Sequence, residues 1–201
     1  MCSECDCGSN KWAVPIGISN RHIHLSKEHI TALFGEGYEL TRIKDLTQPG
    51  QYACKEVVTI VGTKGVLQGV RILGPARKDT QVELSQTDAR QLGIPAPLRE
   101  SGDVKGTPGC IIIGPKGPLV LDQGCILAKT HVHFHTEDAA RLNIKDKEKI
   151  DLLVKGQKTV CFYGVTARVG DSMKLDFHLD TDEANAALVK NGELAYIINR
   201  D

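Results

Sequence analysis

Apolar residues recur at every second position in short runs along most of this chain. WAVPIGIS (12–19), EVVTIVG (56–62), VLQGVRIL (66–73), KIDLLV (149–154) and TVCFYGVTARV (159–169) all carry the pattern. Period two puts alternate side chains on opposite faces, as in strands with one face against a core. CIIIG (110–114), PLVLD (118–122), CILAKTHVH (125–133), MKLDFHL (173–179) and ELAYIIN (193–199) read the same way, and GPKG (114–117) reads as a tight turn between two of them. Helical spacing is confined to short stretches near 26–34, 85–92, 136–142 and 181–190. Many short strands with brief helices predict a mainly β fold of barrels or sandwiches, not an alternating α/β sheet.

Composition narrows the function classes. Lys+Arg and Asp+Glu balance at 25 each, so no net field draws the chain to nucleic acid or a membrane surface. Aromatic residues make up only 4%, too few for a base-stacking platform. No apolar run approaches the roughly 20 residues a spanning helix needs, and no signal peptide is evident. MCSECDCGSN (1–10) is polar and aperiodic and reads as a flexible tail. Its Cys2, Cys5 and Cys7 could hold a metal but have no nearby fourth ligand. Cys54, Cys110, Cys125 and Cys161 stand in strand-like contexts and read as reduced, small buried hydrophobes of a cytosol-like compartment.

The histidine pattern carries the chemistry. His22 and His24 in NRHIHLS, and His131 and His133 in THVHFH, are each two residues apart. In a strand such pairs point to one face, at about the separation two ligands of one metal require. HIHLSKEH, QVELSQTDA, HVHFHTEDA and DFHLDTDEA align as four copies of one device, a strand end, an apolar residue and a helix start. Ser26, Ser85 and Asp180 are good N-cap residues in that alignment. Two positions before the cap stand His24, Glu83, His133 and His178, and four before it stand His22, Gln81, His131 and Asp176. The alignment nominates two tripods: His22, His24 and Glu83 for one metal, and His131, His133 and His178 for another. Three protein ligands with an open position are the catalytic arrangement of zinc. The competing reading is ordinary strand histidines. His29 falls on a helix outside the tripods, and His135 falls in the cap slot, with capping or ligand-supporting duty. Arg77 precedes Glu83 by six residues and is either a solvated side chain or a fork for phosphate.

VPIGISNRHIHLS, RILGPARKDTQVELS, THVHFHTEDA and DFHLDTDEAN resemble the PduL-type phosphate propanoyltransferases, the zinc-dependent phosphotransacylases of bacterial microcompartments. The resemblance spans residues 12 to about 199. It implies acyl transfer between coenzyme A and inorganic phosphate, in propanediol- or ethanolamine-type catabolism, with two zinc ions per chain in the same two tripods. It implies Arg77 as the phosphate-binding and catalytic residue, and Ile18, Ser19, Asn20, Lys64, Arg71 and Asn185 as coenzyme A contacts. It also implies a homodimer of two β-barrel domains with short capping helices. One barrel is expected from 11–20 plus 129–201, the other from 21–128 with an excursion near 35–55, after a tail at 1–10. Members often carry an amphipathic N-terminal extension for encapsulation. The short polar tail here makes a cytoplasmic enzyme at least as good an expectation as one in a microcompartment lumen.

The expected mechanism is direct attack of phosphate on the thioester at a dinuclear zinc site, with Arg77 holding the phosphate in line. No Ser-His-Asp or Cys-His nucleophile stands out. Three alternatives remain at this stage. A zinc hydrolase of thioesters or amides would use the same tripods to activate water. A cupin would need Glu28 on a strand, whereas SKEHITALF has helical spacing. A non-catalytic metal-binding or shell-associated module would tolerate loss of Arg77.

Overall fold

The computed structural model describes residues 12–198. The chain begins with strands β1 (Ala13–Ser19) and β2 (His22–His24), then helix α1 (Lys27–Phe34). Strands β3 (Arg42–Asp45), β4 (Tyr52–Val61), β5 (Val66–Gly74) and β6 (Gln81–Glu83) lead to α2 (Gln86–Leu92). Next come β7 (Leu98–Arg99), β8 (Cys110–Gly114), β9 (Gly117–Leu121), β10 (Cys125–Ala128) and β11 (His131–Phe134). After α3 (Thr136–Arg141) follow β12 (Lys149–Lys155), β13 (Thr159–Val169), β14 (Asp176–Asp180), α4 (Thr181–Ala187) and β15 (Leu194–Ile198). The chain is mainly β, as the period-two runs predict. Among the described residues no helix is long and apolar enough to cross a membrane.

Two compact units result. Among the described residues, one takes those from Trp12 to Ser19, Thr47–Pro49 and those from Thr130 to Ile198; the other takes Asn20–Leu46 and Gly50–Lys129. The first unit is a closed barrel in the order β1-β14-β11-β13-β12-β15. Its interior is filled by side chains such as Val14, Ile16, Phe134, Leu152, Val154 and Phe177, all essentially inaccessible. Burying each stabilises by roughly 1.5–3 kcal/mol. The second unit is a curled half-barrel sheet in the order β7-β10-β6-β2-β5-β4-β8-β9, with β3 on β4. Ile23, Leu33, Ile60, Ile72, Leu92 and Ile112 fill its core.

The two sheets are copies of one plan. In the barrel, β11 runs parallel to β13 and antiparallel to β14, which runs parallel to β1. In the half-barrel, β2 runs parallel to β5 and antiparallel to β6, which runs parallel to β10. β12 and β13, like β4 and β5, form the adjoining antiparallel hairpin. The strand just before each H-x-H pair therefore sits in the other copy's sheet: β1 precedes β2 but joins the barrel, and β10 precedes β11 but joins the half-barrel.

Three local expectations need correction. CILAKTHVH is two strands, not one, because the chain leaves one sheet at Ala128 and enters another at His131. The last helix stops at Ala187, where Leu188 takes a left-handed conformation (φ 53°). Cys161 is exposed on β13, whereas Cys54 and Cys125 are buried. Cys2, Cys5 and Cys7, with the tail they belong to, lie outside the described residues.

Candidate metal centre

Register assembles each triad. In the half-barrel unit His22 pairs with Glu83 across β2 and β6, and His24 with Gln81. Opposed and alternate residues share one face, so His22, His24 and Glu83 converge. One ligand atom from each lies within 4.8 Å of the others. In the barrel unit His131 pairs with His178 across β11 and β14, and His133 with Asp176. His131, His133 and His178 converge within the same 4.8 Å limit.

The first triad is oriented by its neighbours. His22 Nδ1–H donates to the Asn20 carbonyl at 2.9 Å, which leaves Nε2 facing Glu83 Oε1 at 3.5 Å. Two ligands about 2.0–2.1 Å from a tetrahedral zinc lie roughly 3.4 Å apart, so this spacing suits a shared ion. Burial works against charge on His22, but the Glu83 carboxylate outweighs it and holds the imidazole above its ordinary pKa. Burial, then the neighbouring His22 and Arg77, push His24 down to about 3, so it stays neutral with a lone pair to give. Burial also opposes ionisation of Glu83. His22, His24 and the Ser101 hydroxyl more than offset it and hold the carboxyl well below the usual range.

The second triad contains only imidazoles. His131 Nε2 and His133 Nε2 face each other at 2.9 Å, with ring centroids 4.6 Å apart. Two such nitrogens need either one proton or a cation between their lone pairs. Burial, then His131 and His178, drive His133 down to about 2. His133 Nδ1 is itself buried with no hydrogen-bond partner among the described residues. His178 Nε2–H donates to Asp176 Oδ2 at 2.7 Å, so its Nδ1 is the free donor atom. Buried Asp176 has room for this because Gly17, beside His178 on β1, lacks a side chain. A Cβ at Gly17 would sit 2.7 Å from both carboxylate oxygens. Both donor sets, imidazole nitrogens with or without a carboxylate, suit zinc.

Arg77 is brought to the first triad, where its charge acts on His22, His24 and Glu83. It is half-buried, its backbone N–H donates to the Leu25 carbonyl, and its Nη1–H donates to Ser101 Oγ at 3.1 Å. The remaining nominated residues are distributed. Ile18 N–H donates to Asn191 Oδ1, Ser19 ends β1, and Asn20 is the exposed residue whose carbonyl holds His22. Arg71 is pinned by donating to the Cys54 and Lys55 carbonyls at 2.9 and 2.8 Å. Lys64 is exposed at the tip of the β4–β5 hairpin. The intervening residues put it roughly 20 Å from Arg71, so the two cannot grip the same phosphate. Asn185 is exposed on α4. His29 stands outside the triad and shares a 2.7 Å hydrogen bond with Thr80, and His135 caps α3 by accepting from Glu137 N–H.

Sequence reasoning missed Gln81, Ser101 and Asp176 as supports. Gln81 and Asp176 had a signal, since both occupy the slot two residues before a ligand. Gln81 Nε2 donates to Glu83 Oε1 at 2.5 Å, as Asp176 accepts from His178. Ser101 had none, because only the fold brings its loop to Glu83.

A family model described as phosphate propanoyltransferase matches residues 15–190. The chain belongs to the phosphate propanoyltransferase family. It is 55% identical over 184 residues to a phosphate propanoyltransferase of Thermotoga maritima, covering 91% of this chain and 88% of that one. It is 47% identical over 192 residues to one of Lachnoclostridium phytofermentans, covering 95% and 90%. A Clostridioides difficile phosphate propanoyltransferase is 48% identical over 187 residues, covering 93% and 90%. Both triads and Arg77 lie inside the span that matches the family.

Proposed function

We propose that this chain interconverts a short-chain acyl-CoA plus inorganic phosphate with an acyl phosphate plus free CoA, using one zinc ion in each triad. The observation that carries the reading is a half-buried arginine beside three converging potential metal ligands. An enzyme that only activates water has no need of that cation, whereas a phosphate nucleophile does. A bound zinc ion supplies Lewis-acid polarisation of the thioester carbonyl and stabilises the departing thiolate.

The chain's own residues do the rest. The Arg77 fork binds phosphate through two parallel N–H bonds and aims one oxygen at the carbonyl carbon. That oxygen forms the new C–O bond as the C–S bond breaks, and the sulfur leaves with its electron pair. Asn20 and Asp176 hold His22 and His178 in the tautomers that present a lone pair to the ion. Ile18, Ser19, Asn20, Lys64, Arg71 and Asn185 are assigned to coenzyme A, with Lys64 and Arg71 meeting different parts of it. By the same family likeness we take the enzyme to be a homodimer, cytoplasmic or within a microcompartment lumen.

The test is thiol release from propanoyl-CoA with and without phosphate. Release should require phosphate and saturate with it, acyl phosphate should accumulate one for one with CoA, and the reverse mixture should regenerate the thioester. Full-rate release without phosphate, yielding only carboxylate, would establish a hydrolase instead.

A further inference from the structure

In the half-barrel unit the loop after β7 places Ser101 Oγ among three groups. It accepts Nη1–H of Arg77 at 3.1 Å and Nε2–H of Gln81 at 2.9 Å, and it donates its own proton to Glu83 Oε1 at 3.0 Å. The directions follow from chemistry. Guanidinium and amide N–H groups can only donate and a carboxylate can only accept, so the hydroxyl's one proton must go to Glu83. Gln81 cannot turn round, because its Oε1 accepts Gly102 N–H at 2.6 Å. Its amide is thereby fixed with both Nε2 bonds aimed at Ser101 and Glu83. A hydroxyl with one donor and two acceptor sites is used to capacity here.

No ion pair joins Arg77 to Glu83 directly among the described residues, although each feels the other's charge. In a half-buried setting an arginine and a carboxylate this close would normally close into a forked pair. That pair would consume the guanidinium needed by phosphate and the carboxylate oxygens needed by a metal. We infer that Ser101 is a positioning residue that bridges Arg77 and Glu83 while holding them apart, so that each keeps its own ligand. This inference rests on the proposed roles of Arg77 and Glu83 and adds the device that keeps them compatible.

The experiment uses the zinc-loaded enzyme and the variants Ser101→Ala and Ser101→Thr, with Arg77→Lys and Glu83→Gln as references. Two readouts are taken: Michaelis constants for phosphate and propanoyl-CoA, and zinc retention against a competing chelator. Ser101→Ala should raise the phosphate KM about tenfold while leaving the propanoyl-CoA KM unchanged. It should also weaken one of the two zinc equivalents by about tenfold, the scale expected for losing a group that orients a ligand. Ser101→Thr keeps the hydroxyl and should restore both. The inference is overturned if Ser101→Ala leaves phosphate KM and zinc retention unaltered, or if Ser101→Thr is as impaired as alanine. If Arg77→Lys leaves phosphate KM unchanged and Glu83→Gln keeps both zinc ions, the functional reading itself fails and the role of Ser101 falls with it. If the references respond and Ser101→Ala does not, only the positioning role is lost.

Discussion

At the scale of single residues, what separates the two triads is the group behind the third ligand. Glu83 brings a negative charge softened by the Gln81 amide, whereas the His178 imidazole is backed by the buried Asp176 carboxylate. Glu83→Ala should therefore release one zinc equivalent and abolish most activity, with His29→Ala as the unaffected comparison, since the His29 ring is hydrogen-bonded to Thr80 and belongs to neither triad. Elemental analysis settles it; full occupancy in Glu83→Ala would refute the ligand assignment. Asp176→Asn should weaken the other equivalent by roughly 10–100-fold. Gly17→Ala should do the same without touching a ligand, because its new Cβ would lie 2.7 Å from the Asp176 oxygens. Chelator competition measures both, and a Gly17→Ala enzyme that holds both ions at native affinity would show that Asp176 can shift at no cost. Sequence alone reached Glu83, because four strand ends share one register. It did not reach the role of Gly17, whose neighbour on β14 is some 160 residues distant in the chain and pairs only in the folded barrel.

The elements repeat down to their joints. α2 and α4 each begin with a capping box, at Ser85 with Asp88 and at Asp180 with Glu183. In each copy the boxed acid also ties down the residue before the first histidine, Asp88 to Arg21 and Glu183 to Thr130. The far ends match too: Lys64 N–H donates to the Leu92 carbonyl, and Lys158 N–H to the Ala187 carbonyl. At each of these contacts a glycine lets the hairpin meet the helix end. A Cβ on Gly62 would stand 2.1 Å from Leu92 O, and one on Gly156 equally 2.1 Å from Ala187 O. Gly62→Ala and Gly156→Ala should each cost about 2 kcal/mol of overpacking, lowering the melting temperature by about 5 °C. Gly170→Ala, whose Cβ would meet Met173 no closer than 3.5 Å, is the control and should melt like the native chain. Equal melting of all three would mean the joints relax freely. Strands and caps were legible because period-two patterning and cap chemistry are local. The three-residue strands β2 and β6 were legible only through the fourfold alignment, since a run that short has no period of its own.

For the whole molecule, each unit has its own core and its own triad, so loss of metal should be felt in both. His24 in one unit and His133 in the other are held near 3 and 2, far below an unfolded histidine at about 6.5. Above pH 6.5 neither the folded nor the unfolded chain protonates these groups, and they contribute no slope. As pH falls below 6.5 the unfolded chain takes up protons that the fold refuses. The metal-free protein should then lose up to about 1.4 kcal/mol per pH unit for each group. Glu83 adds loss of the same sign once pH falls below the ordinary carboxylate range. His22 runs the other way, because its raised pKa means the folded metal-free chain keeps a proton that an unfolded one has already released. Zinc needs the Nε2 lone pair, so it must displace that proton. In a His178→Ala variant, which leaves the His22, His24 and Glu83 set intact, zinc uptake near pH 6.5 should release more than half a proton. The release should decline toward zero as pH rises past the His22 value, with affinity rising over the same window. Calorimetric titration in buffers of different ionisation enthalpy counts the proton directly. Zinc binding with no proton release at pH 6.5 would mean that His22 is not a ligand. The triad would then have to be redrawn around whichever group the ion holds.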